Sequence, residues 1–316
     1  MNKNVSKANN CRTESGRQNW MITRRVFLKS SAASLAISSL SCALRSGSNA
    51  GSRTTRFGIV TDCHYADAGA AGTRFYRQSP DKLAECVELM NAEKVDFLIE
   101  LGDFKDQNTP SVEQKTLSYL ASIEKVFQGF GGPTYHVPGN HDLDSISKEQ
   151  FLTRVENTNI DSDRSYYSFD ANRLHFVVLD ANYRADGADY DHGNFDWTDA
   201  NIPPEELSWL RDDLAATEGA AIVFTHQLLD GTGSVYVKNA AQVRQILQAS
   251  GKVLAVFQGH HHAGSYSNTA GIHYYTLKAL VEGTGTESSS YAIAEARPDG
   301  SITVIGYRRA ESKQLV

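Results

Sequence analysis

The 316-residue chain has only four cysteines, too few for a disulfide framework to hold together a chain of this length. It also lacks a long apolar run. The longest charge-free stretch near the N-terminus, residues 30–44, is 15 residues long and rich in serine. A membrane-spanning helix needs roughly 20 mostly apolar residues, so no transmembrane segment is predicted. Glycine (24) and proline (7) are far below collagen-like abundance. With 41% hydrophobic and 22% charged residues the chain can bury a sizeable core, which excludes a disordered tail protein. Basic residues are scarce beyond the N-terminus. Residues 1–50 hold eight of the 31 Lys and Arg but only one of the 37 Asp and Glu. The remaining 23 basic and 36 acidic residues give a net charge near −13. Long polyanions bind by releasing counterions onto Lys and Arg, so a nucleic-acid polymer is not the expected partner.

The N-terminal fifty residues read as an address rather than as structure. A basic region ends in Thr23-Arg24-Arg25-Val26-Phe27-Leu28-Lys29, the small-residue run 30–44 follows, and Ser48-Asn49-Ala50 offers a small-x-Ala cleavage site. The paired arginines with Phe-Leu-Lys behind them resemble a bacterial twin-arginine signal. That resemblance implies the twin-arginine export machinery as a partner, a periplasmic or extracellular location, and folding around any metal before export. Cys42 follows Ser39-Leu40-Ser41, a partial match to a lipid-attachment box without the usual leucine three residues earlier, which leaves lipid anchoring open. Residues 51–316 are read as a single domain, in which Cys63 on a strand and Cys86 on a helix are buried thiols.

That domain alternates strand and helix patterns. Phe57–Thr61, Phe97–Leu101, Tyr135–Val137, Ala221–Phe224 and Val253–Phe257 are short β-branched or aromatic runs, and each ends in a polar cluster. Residues 80–92 form a predicted helix with Ser79 as N-cap, Pro80 in its first turn and a stripe of Leu83, Val87 and Met90. Further helices are predicted over 112–128, from 203 onward and over 239–249. A hairpin is predicted over 165–180, turned at Ala171-Asn172, and strands over 272–277, 290–296 and 302–307. The pattern fits an α/β protein with one mixed sheet or two packed sheets. The loop 181–202 is long enough to carry a function.

The polar clusters that end these strands carry the chemistry. In chain order they are Asp62-x-His64, Gly102-Asp103, Gly139-Asn140-His141-Asp142, Thr225-His226 and Gly259-His260-His261-His262. The carboxyl ends of strands converge on one rim of an α/β sheet, so these side chains can meet in space. Carboxylate, imidazole and one amide oxygen suit Mn²⁺, Fe, Zn²⁺ or Ni²⁺ rather than Ca²⁺ or Cu(I). Alternation along an extended chain would place both members of each Asp-x-His or His-x-His pair on one face. Glycine before Asp103, Asn140 and His260 lets the backbone turn sharply there.

In order and spacing these five clusters resemble the motifs of the calcineurin-like metallophosphoesterase superfamily over about residues 56–307. The resemblance implies an α/β fold of two packed mixed sheets flanked by helices, four layers in all, around two divalent metal ions. Mn²⁺ comes first, with Fe and Zn²⁺ as alternatives. It implies Asp62, His64 and His262 on one metal, Asn140, His226 and His260 on the other, and Asp103 bridging. His141 would protonate the leaving oxygen or stabilise the transition state, and Asp106 would orient His141. Asp106 stands where purple acid phosphatases carry a metal-binding tyrosine, which argues against that subclass, and Gln107 stands where many relatives have arginine. His64-Tyr65-Ala66-Asp67, Arg74-Phe75-Tyr76-Arg77-Gln78-Ser79 and residues 271–277 resemble the Mn²⁺-dependent ADP-ribose/CDP-alcohol diphosphatases of that superfamily. This finer likeness implies a small phosphorylated substrate, a nucleotide conjugate, with Arg74 and Arg77 as phosphate clamps and Tyr76 as a base or ribose contact. A broad phosphomonoesterase or phosphodiesterase, and more remotely a non-catalytic metal- or phosphate-binding protein, are the competing readings. His136, His175 and His192 are read as structural or surface residues, and His273 as a pocket candidate.

Overall fold

The computed structural model describes residues 53–316. The expected export signal, its cleavage site and Cys42 lie outside the described residues. The chain opens with β1 (Thr55–Val60), α1 (Ser79–Glu93), β2 (Phe97–Glu100), α2 (Glu113–Phe127) and β3 (Thr134–His136). After a short helix, α3 (Lys148–Leu152), come the hairpin β4 (Tyr167–Ala171) and β5 (Leu174–Val178), then α4 (Pro204–Ala216), β6 (Ala221–Thr225), α5 (Ala240–Ser250) and β7 (Val253–Gln258). A second hairpin, β8 (Ser265–Thr269) and β9 (Ile272–Thr276), precedes β10 (Ser290–Ala296), β11 (Ile302–Arg308) and β12 (Lys313–Leu315).

These strands form two six-stranded sheets, ordered β12-β11-β10-β1-β2-β3 and β4-β5-β6-β7-β9-β8. Each is mixed. In the first, β1, β2 and β3 run parallel while β10 pairs antiparallel with β1. In the second, β5, β6, β7 and β9 run parallel between two antiparallel edge strands. The inner faces meet in an aromatic core, where Phe57 stacks on Phe97 at 5.0 Å and packs edge-on to Phe176 and Phe257 at 5.5 and 5.6 Å. Each such buried side chain contributes roughly 1.5–3 kcal/mol. α1 and α2 cover the outer face of the first sheet through Leu83, Met90, Leu120 and Phe127, and α4 and α5 cover the second through Leu210, Leu214, Val243 and Leu247. The result is the four-layer α/β/β/α arrangement, with every parallel strand that carries a polar cluster ending on one rim.

Local details depart from the sequence expectations. β1 stops at Val60, so Cys63 lies in the following loop, buried but outside any strand. Ser79 is the first helical residue of α1 rather than its cap, and its hydroxyl donates instead to the Cys63 carbonyl. That bond ties the helix start to the loop carrying His64. The hairpin turn falls one residue later than expected, at Asn172-Arg173, both left-handed (φ 49° and 74°), as a tight hairpin turn requires. β8 reads Ser-Tyr-Ser-Asn-Thr and is largely exposed, an edge strand without the apolar alternation that would announce it.

Candidate metal centre

The five clusters lie at the carboxyl ends of β1, β2, β3, β6 and β7. Their backbone is not extended. Asp62, His64, Asp103 and His260 all have left-handed conformations, with φ of 53°, 47°, 57° and 65°. Such residues cost about 1–3 kcal/mol each and persist where surrounding bonds over-determine them. Here the bonds run between loops. Asp62 N–H donates to the Gly102 carbonyl at 3.0 Å, His64 N–H to the Asp103 carbonyl at 2.8 Å, and His260 N–H to Asp62 Oδ2 at 3.1 Å. The paired ligands therefore share a cleft because of turns and cross-loop bonds, which corrects the expectation of strand alternation.

Two glycines make this close approach feasible. A Cβ on Gly139 would stand 2.1 Å from the Asp103 nitrogen, and one on Gly102 (φ +95°) would stand 2.5 Å from the His226 ring. Asp142, for which the sequence reading gave no role, is wholly buried and accepts the backbone N–H groups of Asp103, Phe104, Lys105 and Gly139 at 2.9–3.1 Å. It fixes the β2 and β3 loops against each other. Only its place in the Gly-Asn-His-Asp run marked it in the sequence.

The side chains converge in two groups that share one oxygen. His262 Nε2 is 3.3 Å from Asp62 Oδ1 and 3.1 Å from His64 Nε2. His226 Nε2 is 3.2 Å from His260 Nδ1. Asp103 Oδ2 lies 3.5 Å from His64 Nε2 and 3.1 Å from His226 Nε2, between the groups, while its Oδ1 accepts the His141 N–H at 2.7 Å. Asp62 Oδ1 and Asn140 Oδ1 are buried without a hydrogen-bond partner. A buried orphan oxygen is costly, and imidazole nitrogens that face each other cannot both carry protons. Divalent cations among these atoms would satisfy both demands, so the donor set fits two metals.

The charges agree with that fit. Burial alone would raise the carboxyl pKa values of Asp62 and Asp103, but the surrounding imidazoles hold both well below the usual range. Burial lowers His260, helped by the charge of His226, to about 3, which leaves it neutral and able to ligate. His226 is the exception: the charge and hydrogen bond of Asp103 outweigh burial and raise it to about 9, so a metal bound there must displace its proton. Its Nδ1–H donates to the Leu101 carbonyl at 2.7 Å, which aims Nε2 into the cleft.

His141 occupies the cleft wall with its side chain 33% exposed, so a substrate can reach it. Burial lowers its pKa, but the charge of Asp103 and contacts with Asp106 and Asp144 raise it well above the ordinary value. Asp106 divides its attention. Its Oδ2 hydrogen-bonds His64 Nδ1 at 3.1 Å and stands 3.4 Å from His141 Nδ1, so it braces an expected ligand more closely than the expected acid. Asp144, absent from the sequence reading, lies 3.6 Å from His141 Nδ1 and is held by the buried ammonium of Lys105.

Of the three substrate contacts expected, one reaches the site. Arg74 lines the cavity of about 420 Å³ above the cluster, together with Asp103, Asn140, His141, His260 and His262. Arg77 instead pairs with Asp67 at 2.5 Å on the surface, and Tyr76 sits in a single 3₁₀ turn; neither lines the cavity. Trp197 does, from the long loop 181–202, with its ring 5.7 Å from that of His260 and 44% of its surface exposed. The length of the loop 181–202 is the sequence signal that points to this side of the cleft, though nothing in the sequence requires Trp197 to face it. His273 bonds Tyr266 at 2.9 Å and is not among the residues lining the cavity. A larger groove of about 760 Å³ between α4 and α5 is lined by no carboxylate or imidazole.

This fold, with its shared-carboxylate cluster at the strand ends, defines a class of metal-dependent phosphoester hydrolases. The sequence matches the calcineurin-like phosphoesterase family over residues 55–264, and the chain belongs to that family. It is 28% identical over 301 residues to a manganese-dependent ADP-ribose/CDP-alcohol diphosphatase of Oryza sativa subsp. japonica, covering 81% of this chain and 92% of that protein. It is 27% identical to the protein of the same description from Arabidopsis thaliana, covering 81% and 95%. A dimetal phosphatase structure from Danio rerio superposes with a TM-score of 0.71 at 20% identity, over 83% of this chain and 98% of that one.

Proposed function

We propose that this chain hydrolyses the phosphoanhydride of small nucleotide conjugates, of the ADP-ribose or CDP-alcohol kind, with two divalent metals, Mn²⁺ foremost. The observation that carries the reading is Asp103 Oδ2, which lies between the His64 and His226 nitrogens below a cavity flanked by Arg74 and Trp197. Asp62, His64 and His262 would hold one metal, Asn140, His226 and His260 the other, and Asp103 both. When bound, such a pair clamps a phosphoryl group and lowers the pKa of a water toward about 7.

The chain's own residues do the rest. His141, protonated under the charge of Asp103 and contacts with Asp106 and Asp144, delivers a proton to the departing oxygen. The Arg74 guanidinium binds the phosphate that is not attacked, and Trp197 offers a flat apolar face to a base. The relatives' descriptions and the sequence likeness around residues 64–79 support this substrate class. Export is part of the same proposal. The Arg24-Arg25 pair supports it, and retention of an Arg24→Lys/Arg25→Lys chain in the cytoplasm tests it.

The decisive experiment compares rates on ADP-ribose, CDP-choline, a cyclic nucleotide and p-nitrophenyl phosphate after reconstituting apoprotein with each metal. Preference for the first two with Mn²⁺ is expected. Equal rates on all four overturn the diphosphatase reading and leave a broad phosphoesterase.

A further inference from the structure

Residues 279–283 belong to no motif, yet they connect three parts of the cleft. Val281 N–H donates to the Asp62 carbonyl and Ala279 N–H to the His262 carbonyl, both at 3.1 Å. On the other side, Phe75 N–H donates to the Val281 carbonyl at 3.0 Å and Gly283 N–H to the Thr73 carbonyl at 2.8 Å, bracketing Arg74. Beneath the segment lies Lys82 of α1, whose side chain is wholly buried. Its ammonium donates to four consecutive carbonyls, those of Leu280, Val281, Glu282 and Gly283, at 3.0, 3.3, 3.0 and 2.7 Å. A buried ammonium is tolerated only when its donors are satisfied. No carboxylate forms a salt bridge with it among the described residues, so these carbonyls satisfy its three N–H groups, at least one of which is shared between two of them. Arg309 adds a second bond to the Glu282 carbonyl at 2.9 Å. With its backbone gripped this way, Glu282 extends its carboxylate to His262 Nδ1 at 2.6 Å.

We infer that Glu282 and Lys82 are positioning residues for the Asp62–His64–His262 metal position. Glu282 holds the Nδ1 proton of His262 so that Nε2 faces the cleft as a basic lone pair, and Lys82 holds the segment that presents Glu282. The inference rests on the dinuclear reading proposed above, but not on its substrate.

The test is a calorimetric titration of the full chain, stripped of metal, with Mn²⁺ alone. Wild type is expected to show two binding events. Glu282→Gln keeps the size of the side chain and removes the charge, and should weaken one event by roughly 10–100-fold, as loss of a ligand's outer partner does elsewhere, while leaving the other in place. Excess Mn²⁺ should restore its kcat, which a merely misfolded variant would not allow. Lys82→Met should weaken the same event and also lower Tm, and Glu282→Gln carries the test if that protein does not fold. Two unchanged affinities in Glu282→Gln, or equal loss at both positions, overturn the inference. Wild type that binds two Mn²⁺ but hydrolyses no nucleotide conjugate overturns the proposed substrate instead and leaves this result standing.

Discussion

His64 and His262 turn their outer nitrogens to carboxylates, Asp106 at 3.1 Å and Glu282 at 2.6 Å, whereas His226 gives its outer N–H to the Leu101 carbonyl at 2.7 Å. Both kinds of partner select the tautomer and make the imidazole more basic, and a carboxylate adds a full negative charge to that effect. The two proposed metal positions are thus built unequally: one set of expected ligands is braced by charge on two of its members, and in the other His226 is fixed by a backbone carbonyl. The contrast teaches that the expected ligands are near equivalents in the motif and become different through what stands behind them.

The sharpest way to break that contrast is to remove the one side chain that both positions share. Asp103→Asn should abolish tight Mn²⁺ binding at both and cost several kcal/mol of transition-state stabilisation, roughly 10³-fold in kcat/KM. Its paired control, His141→Ala, should keep both metals by elemental analysis and lose roughly 10²–10⁴-fold in kcat. A variant of Asp103 that empties only one position, or an active His141→Ala enzyme, would contradict the geometry.

A smaller effect comes from a histidine held by carboxylates away from the cleft. His136 is buried 3.1 Å from Glu124 and 3.8 Å from Glu100. Burial lowers its pKa, but Glu124 and Glu100 raise it to about 9, while burial pushes Glu100 up to about 8. Both folded values exceed the ordinary ones, so the folded state binds protons more tightly than the unfolded state. The stability from His136 is complete below about pH 6.5 and is lost as pH rises through about 9; the cost of ionising Glu100 adds in the same direction. Tm of metal-free protein should therefore fall by a few degrees between pH 6.5 and 9, about 1 kcal/mol corresponding to roughly 2–4 °C at this size. His136→Gln should reduce the slope, the remainder coming from other raised histidines such as His226 and His141. A pH-independent Tm in the wild type would show that carboxylate contact alone does not charge an imidazole here.

Much of the cleft was legible because its residues sit in short runs at strand ends, where the polar cluster interrupts an apolar pattern. The local geometry was not. Alternation predicted extended pairs, but bonds such as that from His260 N–H to Asp62 Oδ2 bend the chain into left-handed turns. β8 escaped notice because an exposed edge strand needs no apolar face. Arg74 and Arg77 read alike in one loop. Only packing sent the first to the cavity and the second to Asp67.

By itself the sequence determined the order of the strands and helices apart from α3, β8 and β12, the amphipathic faces that make four layers, and the chemical types of the groups at the rim. These follow from periodicity and from side-chain chemistry, which are local. Tertiary structure alone decided that Asp142 clamps two loops, and that Lys82, Glu282 and Trp197 belong to the same cleft. Those relations join residues tens to two hundred positions apart, and no local pattern records a distance that only the crossing of two sheets creates.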